Sequence, residues 1–228
     1  MKRRGLAFLF VLLLTMPGAA VYADAEKATL GQVDVRIEVK DGVYAVQEHV
    51  TLQHPSAVQG GKLEHSFAHI NGVKSESIAF LAGEQELGAE IQSGEVMDRI
   101  FVQFPAESPD VLEYTIKYQA EVPKGEYALP LVVPMYPVEK SENRVHISFQ
   151  APEGNVIQPN SFPVVNHSGQ NQVTSSMVNV PSQVSYIFGT EETVFHSHNL
   201  ISAVTLLVLV GILVGWGAVE RKNARKGA

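Results

Sequence analysis

The chain has 228 residues, no cysteine, and 24 acidic against 17 basic side chains, a formal charge of −7. Lack of cysteine excludes a disulfide framework, thiol catalysis and thiolate metal sites. Three positive charges lie in the first four residues and a net three in the last nine, leaving about −13 between them; so acidic a surface is repelled by nucleic acid and by anionic lipid.

The first stretch has the form of a secretory signal. Lys2, Arg3 and Arg4 precede an apolar run from Leu6 to Met16, Pro17 and Gly18 break it, and Val21 and Ala23 suit cleavage after residue 23. Residues 24–190 are then expected to form an extracytoplasmic domain. Gln32 to Val39 alternates strictly, with Val33, Val35, Ile37 and Val39 against Asp34, Arg36 and Glu38, the pattern of a half-buried strand. Asp41-Gly42 is a preferred hairpin pair, and the return strand to Gln53 presents Tyr44, Val46, Val50 and Leu52 on one face. Lys62 to Ile70 follows with Leu63 and Phe67 inward, as the expected neighbour of that strand.

Shorter strands are expected at Ser75 to Ala82 and Glu86 to Gln92, then one at Val96 to Phe104. Val111 to Val122 is the clearest of all, with Leu112, Tyr114, Ile116, Tyr118 and Ala120 facing one way. Tyr127 to Val138, YALPLVVPMYPV, holds three prolines, each of which removes a donor from a sheet. Arg144 to Gln150, Gln172 to Val180 and Val184 to Phe188 complete the set. About ten short strands with regular turn signals predict an all-β fold, an antiparallel Ig-like β-sandwich. One domain is expected; two small β subdomains divided near Pro123 to Val138 are the alternative.

A linker at 191–199 leads to Leu200–Val219, twenty residues without a charge. As a helix this spans roughly 30 Å, the hydrocarbon thickness of a bilayer. Arg221, Lys222, Arg225 and Lys226 follow it in the tail, 220–228, and the positive-inside rule puts them in the cytoplasm. The tail itself is too short to fold. The expectation is a single-pass cell-membrane protein with its N-terminal domain outside. Gly211 and Gly215 form a G-x-x-x-G that permits close approach of two helices.

Three stretches resemble a known family: VDVRIEVKDGVYAVQEHVTLQ, LEYTIKYQAEV and VHISFQAPEG. Their Asp41-Gly42 turn, Val46 to Glu48, Tyr114 to Tyr118 and Pro152 to Gly154 are similar to the extracytoplasmic β domain of a bacterial membrane-protein family of unknown function. The multi-span C-terminal part usual in that family is not found here. The resemblance implies the β architecture and brings no activity with it.

Chemistry is sparse. There is no G-x-S-x-G elbow, H-E-x-x-H or phosphate loop, so no enzyme and no cofactor is indicated. His65 and His69 on one strand stand about 13 Å apart, too far for one metal. His196 and His198 in the extended linker point the same way about 6.6 Å apart, a spacing that suits copper or zinc. Tyr127, Leu131, Met135 and Tyr136 lie on backbone that cannot fully enter a sheet, and such residues favour contact surfaces. The expected function is that of a non-catalytic binding module of the cell envelope, engaging a protein partner or a second copy. An exported metal-handling domain is the alternative.

Overall fold

The computed structural model describes residues 27–76, 78–104, 110–138, 144–165, 169–191 and 197–226. The expected signal, residues 1–23, lies outside them. The first half of the chain forms β1 (Thr29–Lys40), β2 (Val43–Gln53), β3 (Lys62–Ala68), β4 (Lys74–Ser75), β5 (Ala79–Ala82), β6 (Gln85–Leu87), β7 (Ala89–Ser93) and β8 (Met97–Gln103). There follow β9 (Val111–Glu121), β10 (Ala128–Pro130), β11 (Val132–Pro134), β12 (Val145–Gln150), β13 (Val156–Ile157), β14 (Gln172–Met177), β15 (Gln183–Ser185) and β16 (Phe188–Gly189). One long helix, α1 (Ser197–Lys226), ends the chain.

The large sheet has eight strands in the order β14-β12-β1-β2-β9-β5-β6, with β4 also on β9. A smaller sheet runs β11-β3-β8-β7, and β10–β15 and β13–β16 are two-stranded ribbons. The β1–β2 hairpin closes where expected, with Asp41 and Gly42 both at positive φ (52° and 82°), as a two-residue turn matched to strand twist requires. Two pairings depart from expectation. β1 pairs with β12 in parallel, Val33 to Val145 through Glu38 to Gln150, so the fold is not wholly antiparallel. Parallel neighbours need a long crossover rather than a tight turn, and β2 to β11 all lie between these two. The strands expected as neighbours, β2 and β3, belong to different sheets, because β9 takes the place beside β2.

Where one strand was expected at Glu86 to Gln92, the chain breaks at Gly88. It leaves the large sheet after Leu87 and joins the small one at Ala89. The prolines have the same effect later on. β10 pairs with β15, and β11, one residue further, pairs with β3.

The small sheet lies over β2, β9 and β5: Phe67 meets Tyr118 edge-on at 5.5 Å between ring centres, and His65 stands 5.1 Å from Phe80. Behind β12 the ribbons supply the second layer, where Phe149 stacks on Tyr186 at 4.4 Å. A single buried cluster runs from Leu30 through Val50, Ile100, Ile116 and Ile147 to Tyr186, so the core is continuous across Pro123 to Val138.

The helix contains Leu200–Val219, with a mean hydropathy of 2.4 and none of it buried. It is long and apolar enough to cross a membrane. Thr205, one of two hydroxyl residues in that stretch with Ser202, donates to the Ile201 carbonyl at 2.8 Å and so carries its partner with it. The helix continues through the tail to Lys226, against the expectation that the tail does not fold. Once a long helix is nucleated, each further residue adds a bond at little cost.

Candidate functional site

Two groups of polar side chains stand out, one inside the domain and one on its surface. The inner group begins with Glu48, which continues the inward face of β2 between Val46 and Val50 and is wholly enclosed. Its Oε1 accepts the Val132 N–H at 2.9 Å, tying the large sheet to β11. The Tyr118 hydroxyl donates to the Pro130 carbonyl at 2.7 Å and stands 3.3 Å from Oε1. Burial pushes the Glu48 carboxyl up to about 8, opposed by the hydrogen bonds it accepts from Val132 and Tyr118, and keeps it neutral at pH 7. Burial also brings His65 down to about 4, opposed by hydrogen bonding. Its Nε2 shares a hydrogen bond of 2.7 Å with the Tyr114 hydroxyl.

Both tyrosine phenols are held well above their usual range, chiefly by burial. Glu48, His65, Tyr114 and Tyr118 are each at most 4% exposed. No solute reaches them, so the cluster joins the layers and is not a working site.

The contact surface expected from Tyr127, Leu131, Met135 and Tyr136 is divided by the fold. Leu131 has no exposed surface and belongs to the core, which removes it from any contact role. The Tyr136 hydroxyl accepts the Glu64 N–H at 3.0 Å, and Tyr127 packs edge-on against Phe188. Met135 is the outward one, at 52% exposure, with its N–H on the Glu64 carbonyl. The prolines do keep this backbone out of a central strand, but the chain spends the freedom in bridging two sheets.

His198 falls in the first turn of α1, while His196 lies outside the described residues. Gly211 and Gly215 sit one turn apart on α1, where an added Cβ meets nothing within 4 Å.

The surface group is the open face of the large sheet. Its outward residues fall in rows fixed by register. One row runs Ser148, Arg36, Gln47, Lys117. The next runs Ser176, His146, Asp34, His49, Thr115. A depression of about 850 Å³ lies over Arg36, Glu38, Gln47, Ser75, Lys117 and Gln119. A second, of about 380 Å³, lies over Asp34, Arg36, Gln47, His49, His146 and Thr174. Arg36 and Gln47 line both, so the two are contiguous.

Ion pairing sets this face apart. On and beside the small sheet, Lys62 meets Glu90 at 2.9 Å, Arg99 meets Glu64 at 3.6 Å and His69 meets Asp98 at 3.0 Å. The last of these raises the imidazole of His69. Among the described residues no such pair engages Arg36 or Lys117. Sequence reasoning found the outward residues of β1 and β9 but not the surface they make, because the β1–β12 pairing that aligns the rows is non-local.

No protein-family model matches the chain, and a search of curated proteins finds no match either. Among solved structures it is similar to yeast LTA4 hydrolase in complex with bestatin, at 10% identity and a TM-score of 0.42, over 70% of this chain and 28% of that one. It is similar also to an M1 zinc metallopeptidase from Deinococcus radiodurans, at 12% identity and a TM-score of 0.36, over 72% of this chain and 42% of that one. The chain thus spans less than half of either, and likenesses this slight carry no argument.

Proposed function

We propose that this protein is a non-catalytic binding module of the cell envelope, anchored by α1 with its β domain outside and its C-terminus in the cytoplasm. The domain is a β-sandwich, Ig-like in the loose sense, and it engages an envelope protein or a second copy of itself. The open face of the large sheet is the working surface. Apolar α1 supports the anchoring, and the cations after Val219 support the orientation by the positive-inside rule.

The observation that carries the reading is that Arg36 and Lys117, which form no ion pair among the described residues, line a depression of about 850 Å³. Charges on an otherwise acidic, ion-paired surface are available to a partner's acidic groups, and such complementarity gives specificity and speed of association. Self-association has a second support in Gly211 and Gly215, whose bare surface admits a helix at close range.

The test is crosslinking of the intact protein in its own membrane, comparing wild type with the Arg36→Glu/Lys117→Glu double variant. Both positions are exposed, so folding is expected to survive. A loss of the crosslinked species by tenfold or more is expected. An unchanged yield rejects the open face as the working surface.

A further inference from the structure

Residues 154–190 contain no Asp, Glu, Lys or Arg, in a chain that is acidic overall. The fold places part of this neutral stretch at one end of the large sheet. There β14 is the end strand, paired with β12 on one side only. Among the described residues no other backbone hydrogen bond reaches residues 172–177. A depression of about 510 Å³ is lined by residues 162–165, Gln170 and residues 173–177. Successive side chains of a strand point to opposite faces, so a hollow that touches five in a row runs along the strand's edge. Phe162 and Val164 line it as exposed apolar side chains, Val164 at 69%.

The other end strands of the two larger sheets are guarded. β6 contains Glu86, with Glu84 in the turn before it, β7 contains Glu90, and β11 ends at Pro134. Charges and prolines on an edge discourage pairing with another chain. β14, with the sequence QVTSSM, has neither. An unguarded edge beside an apolar hollow has the form of a site for an added strand.

We propose that the added strand is β14 of a second copy, antiparallel about a two-fold axis, so that the two large sheets join into one. Charge selects this occupant. Two acidic domains repel one another wherever their carboxylates meet, and residues 154–190 bring none. A two-fold axis sets the same patch of both copies face to face, and like charges directly opposite in a strand pair are destabilising. With Ser175 on the axis, Val173 of each copy faces Met177 of the other, and Thr174 faces Ser176. Apolar then meets apolar and hydroxyl meets hydroxyl. The incoming edge fills the hollow and takes Phe162 and Val164 out of water.

This inference goes beyond the open-face reading and does not need it, since Arg36 and Lys117 lie on β1 and β9. The chain has no cysteine, so a single introduced thiol reports contact between copies. The full chain carrying Thr174→Cys, in detergent micelles, is treated with a thiol crosslinker spanning about 8 Å, the reach of diagonal neighbours across a strand pair. A covalent dimer is expected, and none from Gln92→Cys on β7. In sedimentation equilibrium the wild type is expected to dimerise, and Val164→Glu/Thr174→Glu to weaken the dimer by at least about tenfold. Both positions are exposed, and far-UV circular dichroism establishes that the variant is folded. Arg36→Glu/Lys117→Glu is expected to leave the dimer unchanged. The proposal is overturned by a monomeric wild type, by equal dimerisation in the Val164/Thr174 variant, or by crosslinking from position 92 in place of 174. Loss of the dimer in the Arg36/Lys117 variant alone would also overturn it and assign self-association to the open face.

Discussion

Glu48 and His65 pull stability in opposite directions as pH changes, because burial favours the neutral form of each. The Glu48 carboxyl moves from 4.5 to about 8, so over that range the folded state holds a proton that the unfolded state has released. Its contribution is complete below 4.5 and is lost as pH rises through 8. His65 moves from 6.5 to about 4, so its contribution is complete above 6.5 and is lost as pH falls through 4. Between 4.5 and 6.5 the two slopes cancel, and above 6.5 only Glu48 remains. At about 1.4 kcal/mol per proton per pH unit, the fall from pH 6.5 to 8 is about 2 kcal/mol. Urea unfolding of the full chain in micelles, followed by tyrosine circular dichroism, is expected to show that decline in wild type. Glu48→Gln is expected to abolish it and to uncover an acid-side decline below pH 6.5. The same pH dependence in both proteins would contradict the assignment.

At the scale of elements, Tyr127 to Val138 is a strap from the β10–β15 ribbon to the small sheet, and its residues differ sharply in what they carry. Leu131 is fully enclosed, so Leu131→Ala is expected to cost about 2–5 kcal/mol. Met135 stands out at 52% exposure, so Met135→Ser is expected to stay within about 0.5 kcal/mol of wild type. Equal losses in the two variants, by the same denaturant measurement, would contradict the strap.

The strands of this domain were legible wherever alternation was local: β1, β2, β9 and β12 fall where period two put them, and the Asp41-Gly42 turn sits between the first two. Glu48 was legible only in principle. It keeps the inward phase of β2, but an acid in that phase reads as polar until Val132 and Tyr118 arrive from distant sequence to satisfy it. What no local pattern contains is which strands meet. The parallel β1–β12 pair and the separation of β2 from β3 are long-range outcomes, and they decide that Asp34 stands between two histidines.

For the molecule as a whole, the acidic domain and the apolar helix divide the work. The helix is long and apolar enough to cross a membrane, and the large sheet supplies a broad face whose Arg36 and Lys117 form no ion pair among the described residues. Burial of the polar cluster leaves the interior no access to solutes, so whatever the domain recognises meets it from outside. The most direct measurement is photo-crosslinking in intact cells, with a photoreactive side chain at Gln47, between Arg36 and Lys117, and at Met135 on the strap as a control. The account predicts a discrete crosslinked species from position 47 and none of that size from 135. Crosslinks from 135 alone, or none from 47, would contradict it.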